Sequence, residues 1–541
     1  MMGKLANWID RNILELGREF RLSYLPPLMV YMAYGISGLT GIVGAFFVKD
    51  YLGLSAEFLA ALLFWANIPW ALKMPLGHMV DLIWRFKSVM VFIGAGLVAI
   101  SLLIMIGLLS HPDEMRAIMS ASAWYVISVL LAPIGYVLQD VVADAMTVEA
   151  VPTVDRSGQA IDAEKVRLMH TTMQTLGRVA IVGGGIIVAL LNVYKFSGVE
   201  IMSEADKVRV YVDIFQLALL IPVVSVIGVS LGGYIKLRDA KRLHSQGRSW
   251  KEAWLLVHGD VEKTAPNWWI LIGSMLFVVF TITVGLSDIR LREEIIFVGS
   301  MGIVLFLMLR LVKVLDERAR RMLVGTAIII YVYRAMPLPG AGVTWWEIDA
   351  LGFDQHFLAI LSVIGGCLAL FGMFIFRRFM AEKSVAYVIG FLTIVGAVLY
   401  LPNIGMYYGL HEWTSIHTNG VVDARFIAVI DTALESPLGQ IAMIPMLAWI
   451  AHSAPANLKA TFFAVMASFT NLALSLAQLF TKYLNQYYLV TREVKDRTTG
   501  EITVAADYSE LGWLLITVTV VGLLFPLLAI LLVRLTPMKS A

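Results

Sequence analysis

The chain has 541 residues, of which 59% are hydrophobic and only 15% are charged. Its mean hydropathy of +0.78 excludes an ordinary soluble globular protein, and its formal net charge of +2 gives no reason to expect nucleic-acid binding. The single cysteine, Cys367, excludes a disulfide within the chain and a cysteine-rich metal site. The composition therefore predicts an all-α protein that crosses a membrane many times.

The predicted elements begin with a charged amphipathic segment at residues 1–24, which lacks the apolar core and cleavage site of a signal peptide. Windows of about 20 apolar residues then predict fourteen transmembrane helices. Six form an N-terminal bundle at 25–235, two form an inserted pair at 267–315 after a basic linker at 236–266, and six form a C-terminal bundle at 316–541. The predicted spans are 25–48, 57–80, 88–110, 120–146, 166–192, 211–235, 267–288, 294–315, 321–343, 356–379, 384–410, 425–450, 459–488 and 511–534.

The distribution of Lys and Arg predicts the orientation in the membrane. With the N-terminus inside, the inner segments hold about 26 of the 42 Lys and Arg residues and the outer segments about 12. Both termini are therefore predicted to be cytoplasmic. A monomer in a cell inner (plasma) membrane is the expected state.

An internal repeat supports the division into two bundles. LGLSAEFLAAL at 52–62 matches LGFDQHFLAIL at 351–361 at six of eleven positions. In the fourth helices of the two bundles, Pro133-Ile134-Gly135 answers Pro437-Leu438-Gly439. Two six-helix bundles in parallel repeat, joined by a basic linker, predict the major facilitator fold.

A cytoplasmic latch is predicted between the second and third helices. Gly77 permits close helix approach, and Asp81 can pair with a cation or a helix end when the inner gate closes. Arg85 and Lys87 follow in the same loop. The alternative is a short basic inner loop without any latch function.

Two acidic residues share one face of the fourth predicted span. Asp140 and Asp144 are four residues apart, with Gln139 beside them, and their position favours the inner part of the membrane. Ionised carboxylates are costly in lipid, so this face must look into protein or water. The pair is either a gate or proton site or a solvated helix end. Lys73, on the second span, is the expected partner of Asp140 or Asp144.

Two arginines are predicted near the middle of the membrane. Arg178 lies in the fifth span, and Arg334 lies in the ninth, directly before Ala335-Met336-Pro337-Leu338-Pro339-Gly340, which predicts a broken or kinked helix. Each guanidinium group suits a carboxylate of a substrate, because its planar fork binds two oxygens and stays charged. The alternative is a structural ion pair with Asp431 or Glu435.

A second acidic pair, Asp431 and Glu435, lies early in the twelfth span. The Pro-x-Gly register places it toward the outer side, whereas Asp140 and Asp144 lie toward the inner side. In a proton-coupled carrier each pair could exchange protons with its own compartment. Structural pairing is equally compatible with the spacing.

The remaining signals are weaker. Trp345, Trp346, Glu347 and Asp349 fall in an outer loop, where aromatic residues suit an interfacial belt. The chain carries no phosphate-binding glycine loop, no His-Glu-x-x-His and no Gly-x-Ser-x-Gly motif. We therefore expect no enzyme activity, no cofactor and no metal site.

Several motifs together resemble the folate-biopterin transporter family of the major facilitator superfamily. IPWALKMPLGHMVDL at 68–82 is similar to the family's Trp-x-x-Lys-x-x-x-Gly-x-x-x-Asp helix end, and IGYVLQDVVADAMTVE at 134–149 is similar to its Gln-Asp-x-x-x-Asp segment. Residues 333–361 and 444–471 carry further similarity. The resemblance implies proton-driven uptake or exchange of pterin-type molecules such as folate. The positions that match family positions are Lys73, Asp81, Asp140, Asp144 and Asn471.

Three functions remain open at this point. The first is a proton-coupled symporter of an organic anion, with Arg334, Arg178, Gln139 and Asn471 as candidate substrate-binding residues. The second is a muropeptide permease, because bacterial muropeptide permeases are similar in having fourteen helices, whereas a twelve-helix carrier lacks the inserted pair. The third is a membrane scaffold or assembly factor that transports nothing, which predicts no continuous cavity.

Overall fold

Helices make up nearly all of the structure, a computed structural model of the protein. It describes residues 20–52, 54–71, 73–83, 86–151, 161–258, 266, 268–285, 287, 289–313, 316–376, 379, 383–439, 441, 459–495 and 502–538. Residues 1–19 of the amphipathic segment predicted at 1–24 lie outside the described residues, and so does Arg85.

The N-terminal half is defined here as residues 25–245. Its helices are α1 (Leu25–Ile36), α2 (Gly41–Phe47), α3 (Ala56–Ala71), α4 (Lys73–Leu82), α5 (Ser88–Ser110), α6 (Pro112–Ile118), α7 (Ala121–Ala150), α8 (Ala163–Lys195), α9 (Glu204–Ala218) and α10 (Leu220–Ser245). The linker contains α11 (Trp250–His258), and the inserted pair consists of α12 (Trp268–Gly285) and α13 (Arg292–Val312).

The C-terminal half is defined as residues 317–535. Its helices are α14 (Glu317–Arg334), α15 (Ala341–Asp349), α16 (Gln355–Ile375), α17 (Val385–Leu399), α18 (Leu401–Tyr407), α19 (Leu410–His417), α20 (Ala424–Glu435), α21 (Lys459–Tyr487) and α22 (Leu511–Leu535). A short antiparallel ribbon of β1 (Val494–Lys495) and β2 (Ile502–Val504) precedes α22, with Val494 opposite Val504.

Many of these helices begin at a capping side chain. A serine or aspartate oxygen accepts a hydrogen bond from the backbone N–H three residues later, which satisfies a donor that the helix itself leaves free. The capping residues are Ser120, Ser203, Asp316, Asp354, Ser384 and Asp423. The local sequence therefore sets where these helices start.

Nine helical segments within the described part of the chain are long and apolar enough to cross a membrane. They are Leu22–Phe47, Ala56–Val80, Ser88–Ser110, Ala121–Thr147, Thr175–Lys195, Glu204–Ser245, Gln355–Ile375, Val385–Tyr407 and Leu511–Leu535. The predicted number of fourteen is not confirmed. α14 is not among the nine because its first turn, Glu-Arg-Ala-Arg-Arg, is too highly charged. The twelfth predicted span, 425–450, is described only at 425–439 and at residue 441.

The helix break predicted after Arg334 is confirmed. α14 ends at Arg334 and α15 begins at Ala341, with Gly340 at a positive φ of 83°. Backbone groups freed by such a break persist within a membrane protein only if they find partners. α21 supplies these partners, as the backbone N–H of Leu338 donates to Thr481 Oγ1 (3.0 Å) and Asn485 Nδ2 donates to the carbonyl of Pro339 (3.1 Å).

The two halves meet through two pairs of helices. α3 packs against α21, and α8 packs against α16. Polar contacts join the halves at the end that is predicted to face outward, which we call the outer end. There Lys49 Nζ lies 2.7 Å from Asp349 Oδ1, and Gln355 Nε2 donates to Tyr211 Oη at 2.8 Å. Gln486 also donates to Glu57 there, so the outer end is held together in this structure.

The inserted pair packs against both halves, and one of its residues, Glu293, contacts both at once. Glu293, which is 6% exposed, begins α13 and accepts a hydrogen bond from Trp65 Nε1 on α3 at 3.2 Å. Its other carboxylate oxygen lies 3.5 Å from Lys482 Nζ on α21. Since α3 and α21 belong to different halves, the inserted pair lies against the seam between them.

Candidate functional site

A buried ion cluster lies between α1, α4 and α7. Lys73 Nζ lies 2.6 Å from Asp140 Oδ2 and 2.7 Å from Asp144 Oδ2. The predicted pairing of Lys73 with this acidic face is therefore present, and it includes both acids. Tyr31 Oη donates to Asp144 Oδ1 at 2.6 Å, a partner that no sequence signal indicated. The side chains of Lys73 and Asp140 are only 17% and 14% exposed, so the ions depend on one another.

One of the predicted mid-membrane arginines, Arg178, lies near this cluster, and the other, Arg334, lies near Arg178. The charges of Arg178 on α8 and Asp140 interact, and those of Arg178 and Arg334 interact with each other. Because the two guanidinium groups repel one another, an anion placed between them is stabilised.

A cavity of about 700 Å³ lies between the two halves, toward the outer end. Its wall is mostly apolar, with Tyr125, Ser128 and Tyr136 of α7 on one side. Residues of the broken segment and α15, among them Gly340 and Glu347, form the opposite side. The volume lies within the range of about 300–1,000 Å³ that is typical of small-molecule sites.

Aromatic side chains separate the cavity from the ion cluster. Tyr34 makes edge contacts with the cavity residue Tyr136 and with Trp70, at ring-centroid distances of 5.7 and 5.6 Å. Tyr34 also interacts electrostatically with Asp140 and Lys73. The cavity, the aromatic layer and the ion cluster therefore follow one another through the N-terminal half.

None of the four predicted substrate-binding residues, Arg334, Arg178, Gln139 and Asn471, lines this cavity. Gln139 is buried at the crossing of α5 and α7, where Nε2 donates to the carbonyl of Gly135 and a Cβ on Gly94 would approach its Cγ to 2.9 Å. Asn471 Nδ2 donates to the carbonyl of Trp70 at 3.2 Å, which joins α21 to α3. Both side chains thus make helix contacts near the site.

The outer acidic pair is placed on α20 with unlike surroundings. Asp431 is 9% exposed, and its Oδ2 accepts a hydrogen bond from Asn403 Nδ2 at 2.8 Å. Its Oδ1 has no hydrogen-bond partner among the residues that the structure describes. Glu435 is exposed. The spacing predicted that the two acids lie near each other but not that only one of them is buried.

Glu347 is the residue that the sequence analysis missed. The interpretation of 345–349 as an outer loop with an interfacial aromatic belt is wrong, because α15 continues past the break and buries Trp345 and Trp346 to 2% and 7% exposure. Glu347 lies past the predicted ninth span, 321–343, and lines the cavity. The sequence signal that identifies Glu347 as a cavity residue is helical spacing counted from Ala341.

Burial of Glu347, together with the nearby charge of Asp431, raises the pKa of Glu347 to about 7. The carboxyl is therefore mostly neutral below this pH and mostly ionised above it. A cavity-lining group that changes charge near neutral pH is suited to proton exchange.

The predicted latch region is described in part. Gly77 lies on α4, whereas the side chain of Asp81 and all of Arg85 lie outside the described residues. Lys87 is buried, and its Nζ lies 2.6 Å from Glu149 Oε1. Burial lowers the pKa of Lys87, and the charge of Glu149 opposes that shift. Glu149 also pairs with Lys236 at 2.6 Å, which ties the ends of α7 and α10 together.

Comparison with known proteins bears on what this site does. A profile of the BT1 family matches residues 34–540. A protein of Synechocystis sp. named "Folate-biopterin transporter" is 22% identical over 463 residues, which cover 85% of this chain and 74% of that protein.

Similar solved structures include two transporters. One is a POT family transporter in complex with 5-aminolevulinic acid, with a TM-score of 0.57, 12% identity and 95% coverage of each chain. Another is a nucleoside transporter, with a TM-score of 0.51, 10% identity and coverage of 94% of this chain and 99% of that one. These likenesses confirm the predicted major facilitator fold.

Proposed function

The chain belongs to the BT1 family, and on that premise we propose that it is a proton-coupled symporter of an organic anion such as folate or a pterin. It is a multi-pass membrane transporter and not an enzyme, because the BT1 family is a family of transporters. The alternative of a transport-inactive scaffold is thereby set aside. Both termini are proposed to be cytoplasmic, in a cell inner membrane, as the distribution of basic residues predicts.

The observation that carries the proposal is that two interacting arginines, Arg178 and Arg334, lie one on each half. Their charges interact with each other, and the charge of Arg178 also interacts with that of Asp140. A substrate carboxylate offers acceptors for both guanidinium groups. Its negative charge also relieves their repulsion, so the site favours an anion.

The wall of the cavity supports a flat, partly apolar substrate. Tyr136 and Tyr125 line it together with apolar side chains, and Tyr34 continues the aromatic surface toward the ion cluster. Aromatic side chains favour offset or edge contacts with other rings. A pteridine ring placed against these residues leaves an attached carboxylate free to approach the arginines.

The carboxyl groups support coupling to protons. Asp140 and Asp144 lie on one side of the aromatic layer, and Asp431 and Glu347 lie on the C-terminal half. Alternating access in this fold exposes a central site to each compartment in turn. A carboxyl that changes its proton occupancy between the two exposures links substrate movement to the proton gradient.

The test is uptake of labelled folate into proteoliposomes with an imposed inward proton gradient. The parent should accumulate folate and lose accumulation when the gradient is collapsed. Removal of one charge-assisted hydrogen bond costs about 1.5–3 kcal/mol, so Arg334→Ala should raise KM for folate by about 10- to 100-fold. Arg334→Lys should recover only part of the loss, because lysine lacks the planar fork.

The matched control is Arg320→Ala, which removes an exposed arginine of the same helix, 3.7 Å from Glu317. It should transport folate as the parent does. Labelled muropeptide is run in parallel. Uptake of muropeptide without folate moves the assignment to the muropeptide permease, and a gradient-independent folate flux contradicts proton coupling.

A further inference from the structure

α15 carries two acidic side chains in contrasting surroundings. Asp349 is held by Lys49 at 2.7 Å and accepts a hydrogen bond from Tyr508 Oη at 2.5 Å. Glu347, two residues earlier, lines the cavity, and its carboxyl makes no hydrogen bond or ion pair with another described residue. Asp349 therefore holds the two halves together, whereas Glu347 faces the open cavity.

The nearest electrostatic partner of Glu347 is another acid. The charge of Asp431 on α20 acts on Glu347, and Tyr400 lies close enough to interact with both. Asp431 is 9% exposed and keeps one carboxylate oxygen without a hydrogen bond in the described part of the chain. The negative charge of Asp431 opposes ionisation of Glu347 and so favours a proton on the Glu347 carboxyl.

Two cations among the described residues near α15 contact other side chains of that helix. Lys49 contacts Asp349, and the guanidinium of Arg492 lies 5.2 Å from the centre of the Trp345 ring. Glu435, which also faces Tyr400, adds a further negative charge to this region. Asp431, which acts on Glu347 from α20, thus opposes its ionisation.

We propose that Glu347 is the group that carries the coupling proton. The inference rests on the proposed proton-coupled transport and deepens it by naming the residue. Of the two neighbouring acids, Glu347 reaches the cavity, while Asp431 is buried behind it. The proton adds to one carboxylate oxygen from water and leaves to water, so no other reactant is required.

The placement of Glu347 also explains which compartment loads it. Lys49–Asp349 joins the halves at the outer end, and Glu347 lies on the same short helix. When that ion pair parts, α15 separates from the turn at Val48–Leu52 that carries Lys49, and Glu347 meets the outer solution. Because the pKa of Glu347 is about 7, a mildly acidic compartment protonates it and a neutral one receives the proton.

The first experiment measures protonation without any substrate. Infrared difference spectra of the purified protein are recorded through a pH titration. The parent should show a protonated-carboxyl C=O band that disappears as the pH rises through about 7. Glu347→Gln should lack this band, while Glu412→Gln, which changes an exposed acid of α19, should keep it. A band that survives in Glu347→Gln overturns the assignment.

The second experiment separates proton coupling from substrate movement. With the membrane potential clamped at zero, one proton per folate and a gradient of about one pH unit drive up to about tenfold accumulation. Glu347→Gln should accumulate no folate above the outside concentration but should still exchange labelled for unlabelled folate. Glu347→Asp should restore accumulation, because it restores a carboxyl.

The outcomes distinguish the inference from the proposed function. If Glu347→Gln accumulates folate as the parent does, the role of Glu347 is overturned and proton-coupled transport stands. The same holds if Asp431→Asn is the one variant of the two that loses accumulation. Loss of exchange in both Glu347 variants assigns the residue a structural role and also overturns the inference. A parent that accumulates no folate contradicts the proposed function, and the infrared titration then decides on Glu347 by itself.

Discussion

Lys73 has to compensate two carboxylates, and this single residue fixes the geometry of the ion cluster. The sequence predicted that Asp140 and Asp144 share a face, because residues four apart in a helix do so, and that Lys73 pairs with one of them. It did not predict Tyr31, which is 113 residues away from its partner Asp144. Contacts between distant helices depend on how the helices pack, and no local pattern reports that.

Removal of Lys73 should therefore destabilise the protein strongly. Lys73→Met leaves two carboxylates with no lysine between them in a site where Asp140 is 14% exposed. Breaking a buried ion pair by deleting one partner costs about 3–5 kcal/mol. The midpoint of thermal unfolding of the purified protein measures the loss.

The control for Lys73→Met is Lys241→Met, which changes an exposed lysine near the end of α10. Surface substitutions of this kind usually change stability by less than about 0.5 kcal/mol. The double variant Lys73→Met/Asp140→Asn should recover part of the stability, since it removes one uncompensated charge. An unchanged unfolding midpoint in Lys73→Met contradicts the ion cluster.

At the scale of elements, the broken ninth helix was the most predictable feature and the inserted pair the least. Two prolines and a glycine after Arg334 indicate a break by their own backbone restrictions. These residues do not indicate that Thr481 and Asn485 of α21 form hydrogen bonds with the backbone groups that the break leaves free. Hydropathy also did not indicate that Glu293 contacts both halves. A charged residue at the start of a helix predicts the boundary of a membrane span, but it predicts no particular contact.

The partners on α21 should be needed for the stability of the break. Thr481→Val and Asn485→Ala each leave a backbone group at 338–339 without its hydrogen bond. An unsatisfied buried polar group costs about 1–3 kcal/mol. Thermal unfolding of the two variants tests this expectation.

A matched control removes a threonine hydroxyl that bonds only within its own helix. Thr519 Oγ1 donates to the carbonyl of Leu515 on α22, so Thr519→Val should leave stability almost unchanged. Equal losses in Thr519→Val and Thr481→Val are incompatible with a specific role for Thr481.

At the scale of the whole molecule, the repeat and the hydropathy pattern sufficed to predict the major facilitator fold, because two similar bundles leave two similar patterns. The count of fourteen spans did not follow as firmly, since helices such as α14 carry several charges. The cavity was not predictable at all. Its volume is what remains after the two halves have packed, and it depends on every side chain along the seam.

The contacts at the outer end should control access to the cavity. In a Cys367→Ser background, Thr344→Cys places a thiol in the cavity wall. Lys49→Met removes the ion pair with Asp349 and should shift the molecule toward an open outer end. If the closed outer end loses about 0.5–1 kcal/mol of stability, a membrane-impermeant thiol reagent should label the thiol introduced by Thr344→Cys about two- to fivefold faster in the Lys49→Met variant.

Lys195→Met is the corresponding control, because the 3.2 Å pair of Lys195 with Asp213 lies within the N-terminal half. It should leave the labelling rate unchanged. An equal increase in both variants indicates general loosening, and no increase in Lys49→Met shows that this pair does not hold the outer end.

The break between α14 and α15 also has a consequence for biosynthesis. Leu338 finds its partner Thr481 only 143 residues later in the chain. At about 5–20 residues per second, the ribosome needs on the order of ten seconds to reach it. For that interval the ninth segment exposes peptide groups that lipid does not solvate. The ninth segment therefore has to wait in the insertion machinery, or under a membrane chaperone, until α21 arrives. This waiting period is the stage of assembly at which the nascent carrier is most open to quality control.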